Sequence, residues 1–237
     1  MTPQPTVAPS TTPPTDISRL PAHERWRRAL AALARVLVDP EQTEQVLVFS
    51  LYANAGSMPG KLHHFFDDPQ GQRLYAEHRL IDTKSVDLDA LAALPAGTLG
   101  RAYAEFLRTH GLSPDVFEAA PTEVTDPRAA YAIQRLRQTH DLWHVVTGYE
   151  TDPASEVALQ AFTFAQLRAP SALILAALGI LRGTRAKPRI VLDVMSAART
   201  GHRAERLAVF PWEDHWSTPL VTVRSLLGLP VEPRAAA

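Results

Sequence analysis

The stretch from residue 126 to residue 156, DPRAAYAIQRLRQTHDLWHVVTGYETDPASE, decides the fold expected for this chain of 237 residues. Asp126 is a typical N-cap residue, and the proline after it suits the first helical position, so a helix is expected from there to about Val146. Gly148 is expected to end this helix, and Pro153 to begin the next one. Two helices joined by a short turn therefore form the centre of an expected all-α fold.

The sequence on both sides continues the helical pattern. Apolar residues recur every three to four positions in Glu24–Val38 and in Thr98–His110, which is the spacing of a helix with one buried face. Two apolar segments, Val46–Leu51 and Val221–Val223, are compatible with short strands, although a sustained period of two is missing. The prolines and glycines between Gly56 and Gly71 predict a loop.

Composition sets the expected boundaries of the domain. Residues 1–20 contain five prolines among threonines and serines, which predicts a flexible Pro/Thr-rich N-terminal tail without a secretory signal. Residues 21–230 are expected to form a single multi-helix domain of the all-α class, and residues 231–237 a short tail. The longest apolar run, Ala169–Leu181, is shorter than the roughly 20 residues that a bilayer-spanning helix needs. It is expected to be a buried core helix or a helix that faces a membrane or a lipid tail.

Charge and cysteine content exclude several classes of function. Lys and Arg number 24 against 25 Asp and Glu, and this near-neutral balance argues against a protein that coats nucleic acid. The chain has no cysteine, so disulfides, thiolate nucleophiles and cysteine-ligated zinc or iron–sulfur sites are excluded. A metal ion would have to be held by His, Asp, Glu or backbone oxygen.

One constellation in the central stretch has the spacing of a metal site. His140 and His144 lie four residues apart, so they project from one face of the expected helix, one turn apart. Asp141 borders the same face, and Glu156 falls in the first turn of the next helix, from which it can fold back. Two imidazoles and two carboxylates suit zinc, iron(II) or manganese. The alternative is a polar helix face on which the histidines bind no ion and the two acids are solvated.

These residues resemble a known family, the ubiquinone (coenzyme Q) biosynthesis protein Coq4 family. Its hallmark is His-Asp, two residues, His, eleven residues, Glu, and the spacing from His140 to Glu156 matches it. The likeness covers about Arg25 to Leu229. It includes further blocks at Leu94–Tyr103, Tyr131–Arg135, Gly201–Ala204, Trp212–Trp216 and Arg224–Gly228.

The resemblance implies an all-α protein that binds a divalent ion and acts in making ubiquinone. Carried onto this chain, it makes His140, Asp141, His144 and Glu156 the metal ligands and the catalytic residues. The implied reaction is a metal-dependent oxidative decarboxylation, in which the C1 carboxyl of a prenylated 4-hydroxybenzoate-type ring is replaced by a hydroxyl. Zinc is the expected metal, with iron(II) or manganese as alternatives. Arg137, four residues before Asp141, is a candidate to bind the substrate carboxylate or to pair with Asp141.

The expected partners follow from the same resemblance. They are a prenylated aromatic acid or another isoprenoid lipid, a second copy in a homodimer, and other ubiquinone biosynthesis proteins, but no nucleic acid. The protein is expected in the cytoplasm, with possible peripheral contact at the inner face of the membrane. A run of apolar side chains is read either as core or as the lining of a lipid groove: Phe162, Phe164, Leu167, Leu173, Ile174, Leu178 and Leu181.

Three other functions remain open at the level of the sequence. The first is a non-catalytic lipid-binding scaffold that organises ubiquinone biosynthesis enzymes, with the metal in a structural role. The second is the same chemistry on a different aromatic metabolite. The third is a phosphohydrolase of the His-Asp type, which leaves the spacing to Glu156 unexplained.

Overall fold

The computed structural model describes residues 16–39, 42–117, 121–183 and 189–232, and this part of the chain is built from helices, without a strand. The expected all-α class is therefore confirmed. Most of the two predicted tails, residues 1–15 and 233–237, lies outside the described residues. The α-helices are α1 (Ala22–Val38), α2 (Thr43–Asn54), α3 (Met58–Phe66), α4 (Pro69–Ala76), α5 (Leu88–Ala92), α6 (Leu99–His110), α7 (Pro127–Gln138), α8 (His140–Thr147), α9 (Pro153–Leu167), α10 (Pro170–Gly183), α11 (Ile190–Arg203) and α12 (Leu220–Leu226).

The last residues of the predicted N-terminal tail are packed on the domain. A short 3-10 helix spans Ile17–Arg19, and the side chain of Asp16 caps it by accepting a hydrogen bond from the Ser18 backbone. Ile17 is buried, and its N–H donates to the carbonyl of Glu123 at 2.8 Å. Residues 16–20 therefore make contacts with the helical domain in the described part of the chain.

The two segments considered as short strands are helical, so that alternative was wrong. Val46–Leu51 lies in α2, which packs between α1 and α10, and Val221–Val223 lies in α12. A short apolar run looks the same in a buried helix and in a buried strand. One of the helices that bury α2 is α10, which is remote in sequence. The spacing of apolar residues within α2 therefore does not reveal this contact.

The loop expected between Gly56 and Gly71 was also wrong, because helices α3 and α4 fill most of this region. Pro59 and Pro69 both fall in the first turn of a helix. Proline is tolerated there, because the N–H that it lacks has no partner within the helix. Asp68 caps α4 by accepting a hydrogen bond from the Gln70 backbone at 2.9 Å.

Three apolar clusters form the core. The largest gathers side chains of α6, α8, α9, α11 and α12 around Leu142, Phe162 and Trp212. The second joins α1 and α2 to α10, and the third joins α3, α4 and α7. In the described part of the chain, no helix has both the length and the hydropathy required to cross a membrane.

The predicted helix from Asp126 to Val146 is in fact two helices, α7 and α8, which meet at Thr139. Thr139 has φ −91° and ψ −1°, and its hydroxyl donates to the Leu136 carbonyl at 3.4 Å. Thr139 is both the C-cap of α7 and the N-cap of α8, so His140 is the first residue of a short helix.

Candidate metal centre

A tight turn between α8 and α9 brings the predicted ligands together. Gly148 adopts φ 74°, a left-handed conformation that glycine reaches at little cost, and its N–H donates to the carbonyl of His144 at 2.8 Å. Asp152 then caps α9 by accepting a hydrogen bond from the Ala154 backbone at 3.0 Å. The chain reverses within five residues, and Glu156 in the first turn of α9 faces α8.

Three of the four predicted ligands form one cluster. The Nε2 atoms of His140 and His144 are 3.3 Å apart, and His144 Nε2 is 3.3 Å from Oε1 of Glu156. One donor atom from each residue lies within 4.8 Å of the others. The His144 side chain is only 2% exposed, whereas that of Glu156 is 37% exposed, so the cluster opens to solvent on the side of Glu156.

The orientation of His144 is fixed from two sides. Its Nδ1 lies 2.8 Å from the carbonyl oxygen of Tyr149, which can only accept, so Nδ1 carries the proton. The neutral ring then presents the lone pair of Nε2 to the cluster. The ring of Phe106 on α6 stacks on His144 with centroids 5.5 Å apart and planes 22° apart.

Burial and charge act differently on the two histidines. Burial, aided by the charge of His144, lowers the pKa of His140 to about 4, so this imidazole is neutral near pH 7. Burial also opposes protonation of His144, but the hydrogen bond and the charge of Glu156 outweigh it and raise the pKa of His144. A cation in the cluster would therefore compete with one proton, the one on His144.

Asp141 lies near the cluster without being part of it. Burial raises the pKa of its carboxyl to about 6, and the charges of His144 and Glu156 act on it in opposite directions. The buried hydroxyl of Tyr103 on α6 is another neighbour, and it has no hydrogen-bond partner among the described residues. Of the four residues predicted to bind the ion, Asp141 is thus the one that the cluster leaves out.

Arg137 is on α7, before Thr139, and it is partly buried. Burial lowers the pKa of Arg137, and the charge of Glu123 acts in the opposite direction. Within the described residues no hydrogen bond or ion pair joins Arg137 to Asp141.

The donor set of the cluster fits a divalent metal ion. Two ligands held about 2.0–2.1 Å from one tetrahedral zinc ion lie about 3.3 Å apart, which is the separation of both neighbouring donor pairs. The hydrogen bond from Nδ1 of His144 to a backbone carbonyl is one that metal-bound histidines typically make with the ring nitrogen that does not bind the metal. With three protein ligands, such a site leaves a coordination position open for water or substrate.

Long-range contacts that the sequence did not predict hold the centre in place. Arg135, one turn before Thr139, is fully buried and forms a two-pronged ion pair with Glu213, with N–O distances of 2.8 and 3.0 Å. At the start of α6, the N–H of Gly100 donates to the carbonyl of Trp216 at 2.8 Å. The blocks that resemble the family contain Arg135, Gly100, Glu213 and Trp216, so the resemblance was the available signal.

The fold and the site together define a class of protein. It is an all-α domain in which two histidines and a glutamate converge from two helices joined by a tight turn. The sequence model described as "Coenzyme Q (ubiquinone) biosynthesis protein Coq4" matches residues 16–233. The chain belongs to this family, as the spacing of the motif predicted.

Individual relatives are similar over most of the chain. The rat protein named "Ubiquinone biosynthesis protein COQ4 homolog, mitochondrial" is 30% identical over 209 residues, which are 87% of this chain and 78% of that protein. The COQ4 protein of the fungus Laccaria bicolor is 29% identical over 84% of this chain and 67% of its own length. The crystal structure of a putative ubiquinone biosynthesis protein from Nostoc punctiforme superposes with a TM-score of 0.69. Its sequence is 26% identical, and the match covers 85% of this chain and 97% of that one.

Proposed function

We propose that this chain is an enzyme of ubiquinone biosynthesis that uses one divalent metal ion to replace the C1 carboxyl of a prenylated 4-hydroxybenzoate-type ring by a hydroxyl. The observation that carries the proposal is the convergence of His140, His144 and Glu156, with 3.3 Å between neighbouring donor atoms. Membership of the Coq4 family supplies the pathway. Zinc is the proposed metal, and iron(II) or manganese suits the same donors.

Each residue of the centre has a separate part in the proposal. His140, His144 and Glu156 are proposed to hold the ion and to leave a coordination position for the ring carboxylate. The family motif implies Asp141 as a fourth protein ligand, in which case the ring carboxylate would be a fifth ligand of the ion. The bound ion supplies Lewis-acid polarisation of the ring carboxylate. The carbonyl of Tyr149 keeps the His144 ring in one orientation and one tautomer.

The proposed reaction is a two-electron oxidation of the ring carbon. The bond from C1 to the carboxyl breaks, carbon dioxide leaves, and a new carbon–oxygen bond forms at C1, which the para-hydroxyl makes electron-rich. Dioxygen with a two-electron donor balances the reaction, because the second oxygen atom leaves as water. The partly buried Arg137 is proposed to bind the carboxylate before it leaves.

Exposed apolar side chains on α10 support contact with an isoprenoid lipid, a membrane or a second copy of the chain. Phe162 is fully buried, and Ile174 and Leu178 pack on the second core cluster, so these members of the apolar run belong to the core. Leu173 and Leu181 on α10 are instead exposed by 49% and 72%. We propose that this face of α10 meets the prenyl tail, the inner face of the cytoplasmic membrane or the partner of a homodimer.

The same exposed face favours a second function, a non-catalytic lipid-binding scaffold for other ubiquinone biosynthesis proteins. Under that function the ion stabilises the α8–α9 turn and has no part in chemistry. The two functions differ in one respect that can be measured, because only the enzyme forms product in the absence of other proteins.

The test is turnover by the purified chain. The substrate is a 4-hydroxybenzoate with a short prenyl group at C3, supplied in detergent with dioxygen, a reductant and each metal in turn, and the hydroquinone product is measured by mass spectrometry. We expect product with the wild-type chain, none with His144→Ala, and wild-type turnover with His23→Ala, because His23 is exposed on α1. Equal turnover by His144→Ala would refute a metal-dependent mechanism. If the substrate binds saturably but no metal supports turnover, the result favours the scaffold function over the enzyme.

A further inference from the structure

A cavity of about 530 Å³ lies behind the turn that follows α8, and none of the predicted metal ligands lines it. Its walls come from three segments that are remote in sequence: the end of α8 with the turn, α11, and the segment after α12. The lining residues are Thr147, Tyr149, Ser196, Arg199, Thr200, Arg203, Gly228, Leu229 and Pro230.

Two arginines give this cavity a positive charge. Arg199 and Arg203 lie four residues apart on α11, so their side chains project from the same face of the helix. Both residues are exposed, and neither side chain forms a hydrogen bond or an ion pair with any residue of the described ranges. Like charges at this spacing repel each other, and among the described residues no Asp or Glu lines the cavity to balance them.

Hydroxyl groups accompany the two arginines. Ser196, Arg199, Thr200 and Arg203 follow one another at intervals of three, one and three residues, and therefore form a single stripe along α11. Thr147 and Tyr149 line the opposite wall, where the Thr147 hydroxyl already donates to the carbonyl of Trp143 at 2.6 Å. The stripe on α11 thus combines two cations with the hydroxyl groups of Ser196 and Thr200, which is the donor set that anionic oxygen atoms prefer.

We propose that this cavity is a binding site for a phosphate-bearing anion, with Arg199 and Arg203 as its charge partners. A phosphomonoester carries about two negative charges and three terminal oxygen atoms, which match two guanidinium groups and the neighbouring hydroxyls, and a diphosphate carries one further charge. A carboxylate has one charge and two oxygen atoms, and would leave one arginine unpaired. The volume exceeds that of phosphate alone and leaves room for an attached organic group.

The site stands apart from the proposed metal chemistry, although the two share the turn at Tyr149. Tyr149 is one of the residues that line the cavity, and its carbonyl accepts the hydrogen bond from His144. Two blocks noted in the sequence, Gly201–Ala204 and Arg224–Gly228, each contribute one residue to the walls, and neither block contributes to the metal cluster. Because phosphate also binds metal ions, the test uses protein freed of metal.

The test measures anion binding by calorimetry on the full chain after dialysis against a chelator. One arm titrates inorganic pyrophosphate, and a second arm offers vesicles of phosphatidylcholine with or without phosphatidic acid, which separates a soluble phosphate ester from a lipid headgroup. We expect saturable binding in one arm. Arg199→Gln and Arg203→Gln should each weaken it about tenfold or more. Arg189→Gln is the matched control, because it removes the same charge at the far end of α11, and it should bind as the wild type does.

A further measurement guards against a false result. On the wild-type chain, pyrophosphate or the phosphatidic acid vesicles should protect Arg199 and Arg203 from phenylglyoxal, and mass spectrometry reads this protection. The conclusion then does not depend on the folding of a variant. The proposal is overturned by absence of binding in both arms, by equal loss in Arg189→Gln, or by unprotected arginines.

Discussion

Substitution of Gly201 by alanine tests whether close contact between α9 and α11 positions the metal centre. A Cβ atom at this buried glycine would lie 2.7 Å from the carbonyl oxygen of Phe162 and 3.1 Å from the Cβ of Ala165. The nearest atom is backbone within α9, so it can give way only if the helix shifts. Gln166 of α9 also donates to the carbonyl of Gly201 at 2.6 Å, which ties the two helices together at this point.

The size of the effect follows from two opposing contributions. Alanine in place of glycine in a helix gains up to about 1 kcal/mol of stability. Overpacking of a tight helix contact costs about 1–3 kcal/mol, so Gly201→Ala should destabilise the fold by up to about 2 kcal/mol. Gly60→Ala is the matched control, since Gly60 is an exposed helical glycine with no atom within 4 Å of the added Cβ, and it should be neutral or stabilising.

Urea denaturation followed by circular dichroism measures both variants. We expect a lower midpoint for Gly201→Ala with an unchanged m-value, and weaker metal binding, because a shift of α9 moves Glu156. If Gly201→Ala proves as stable as Gly60→Ala, the reasoning about the α9–α11 contact is refuted.

Three further predictions concern the centre and its support. Glu156→Gln should weaken divalent metal binding about 10–100-fold by competition titration, because it removes the charged ligand that faces His144. Affinity should also fall about tenfold per unit as the pH drops below the raised pKa of His144, since the proton on that ring must leave before the metal binds. Arg135→Ala should lower the free energy of unfolding by about 3–5 kcal/mol, because it leaves Glu213 unpaired at the rim of the core.

Matched variants accompany these predictions. Glu150→Gln removes an exposed carboxylate from the same turn and should leave metal affinity unchanged; an equal loss would show that net charge, not ligation, is responsible. Arg101→Ala breaks the exposed pair with Glu105 and should change stability far less than Arg135→Ala does. A metal affinity that stays constant from pH 8 to pH 5.5 would contradict the proposed role of His144.

The cluster was predictable because its geometry is local. His140 and His144 are one helical turn apart, and the signals at Gly148 and Pro153 predicted a turn that brings Glu156 back to them. Helix spacing and capping preferences depend on neighbouring residues, so the sequence contains them. The break between α7 and α8 at Thr139 was missed, because such a break in an otherwise regular helical pattern leaves little trace in apolar spacing.

The surroundings of the cluster were not predictable in the same way. Phe106 reaches His144 from a helix more than thirty residues earlier, and Arg135 meets Glu213 across 78 residues. Contacts at such separations depend on how the helices pack against each other. The period of apolar residues along the sequence does not predict this packing. The position of Asp141 outside the cluster likewise depends on rotamers and on the approach of α6.

Metal content is the measurement that tests the central claim most directly. The purified wild-type chain and its His144→Ala variant are analysed side by side by elemental mass spectrometry, with circular dichroism to show that both are folded. The account predicts close to one equivalent of a divalent metal in the wild-type chain and a large loss in the variant. Equal metal in the two proteins, or none in a wild-type chain supplied with zinc, iron(II) and manganese, would contradict it.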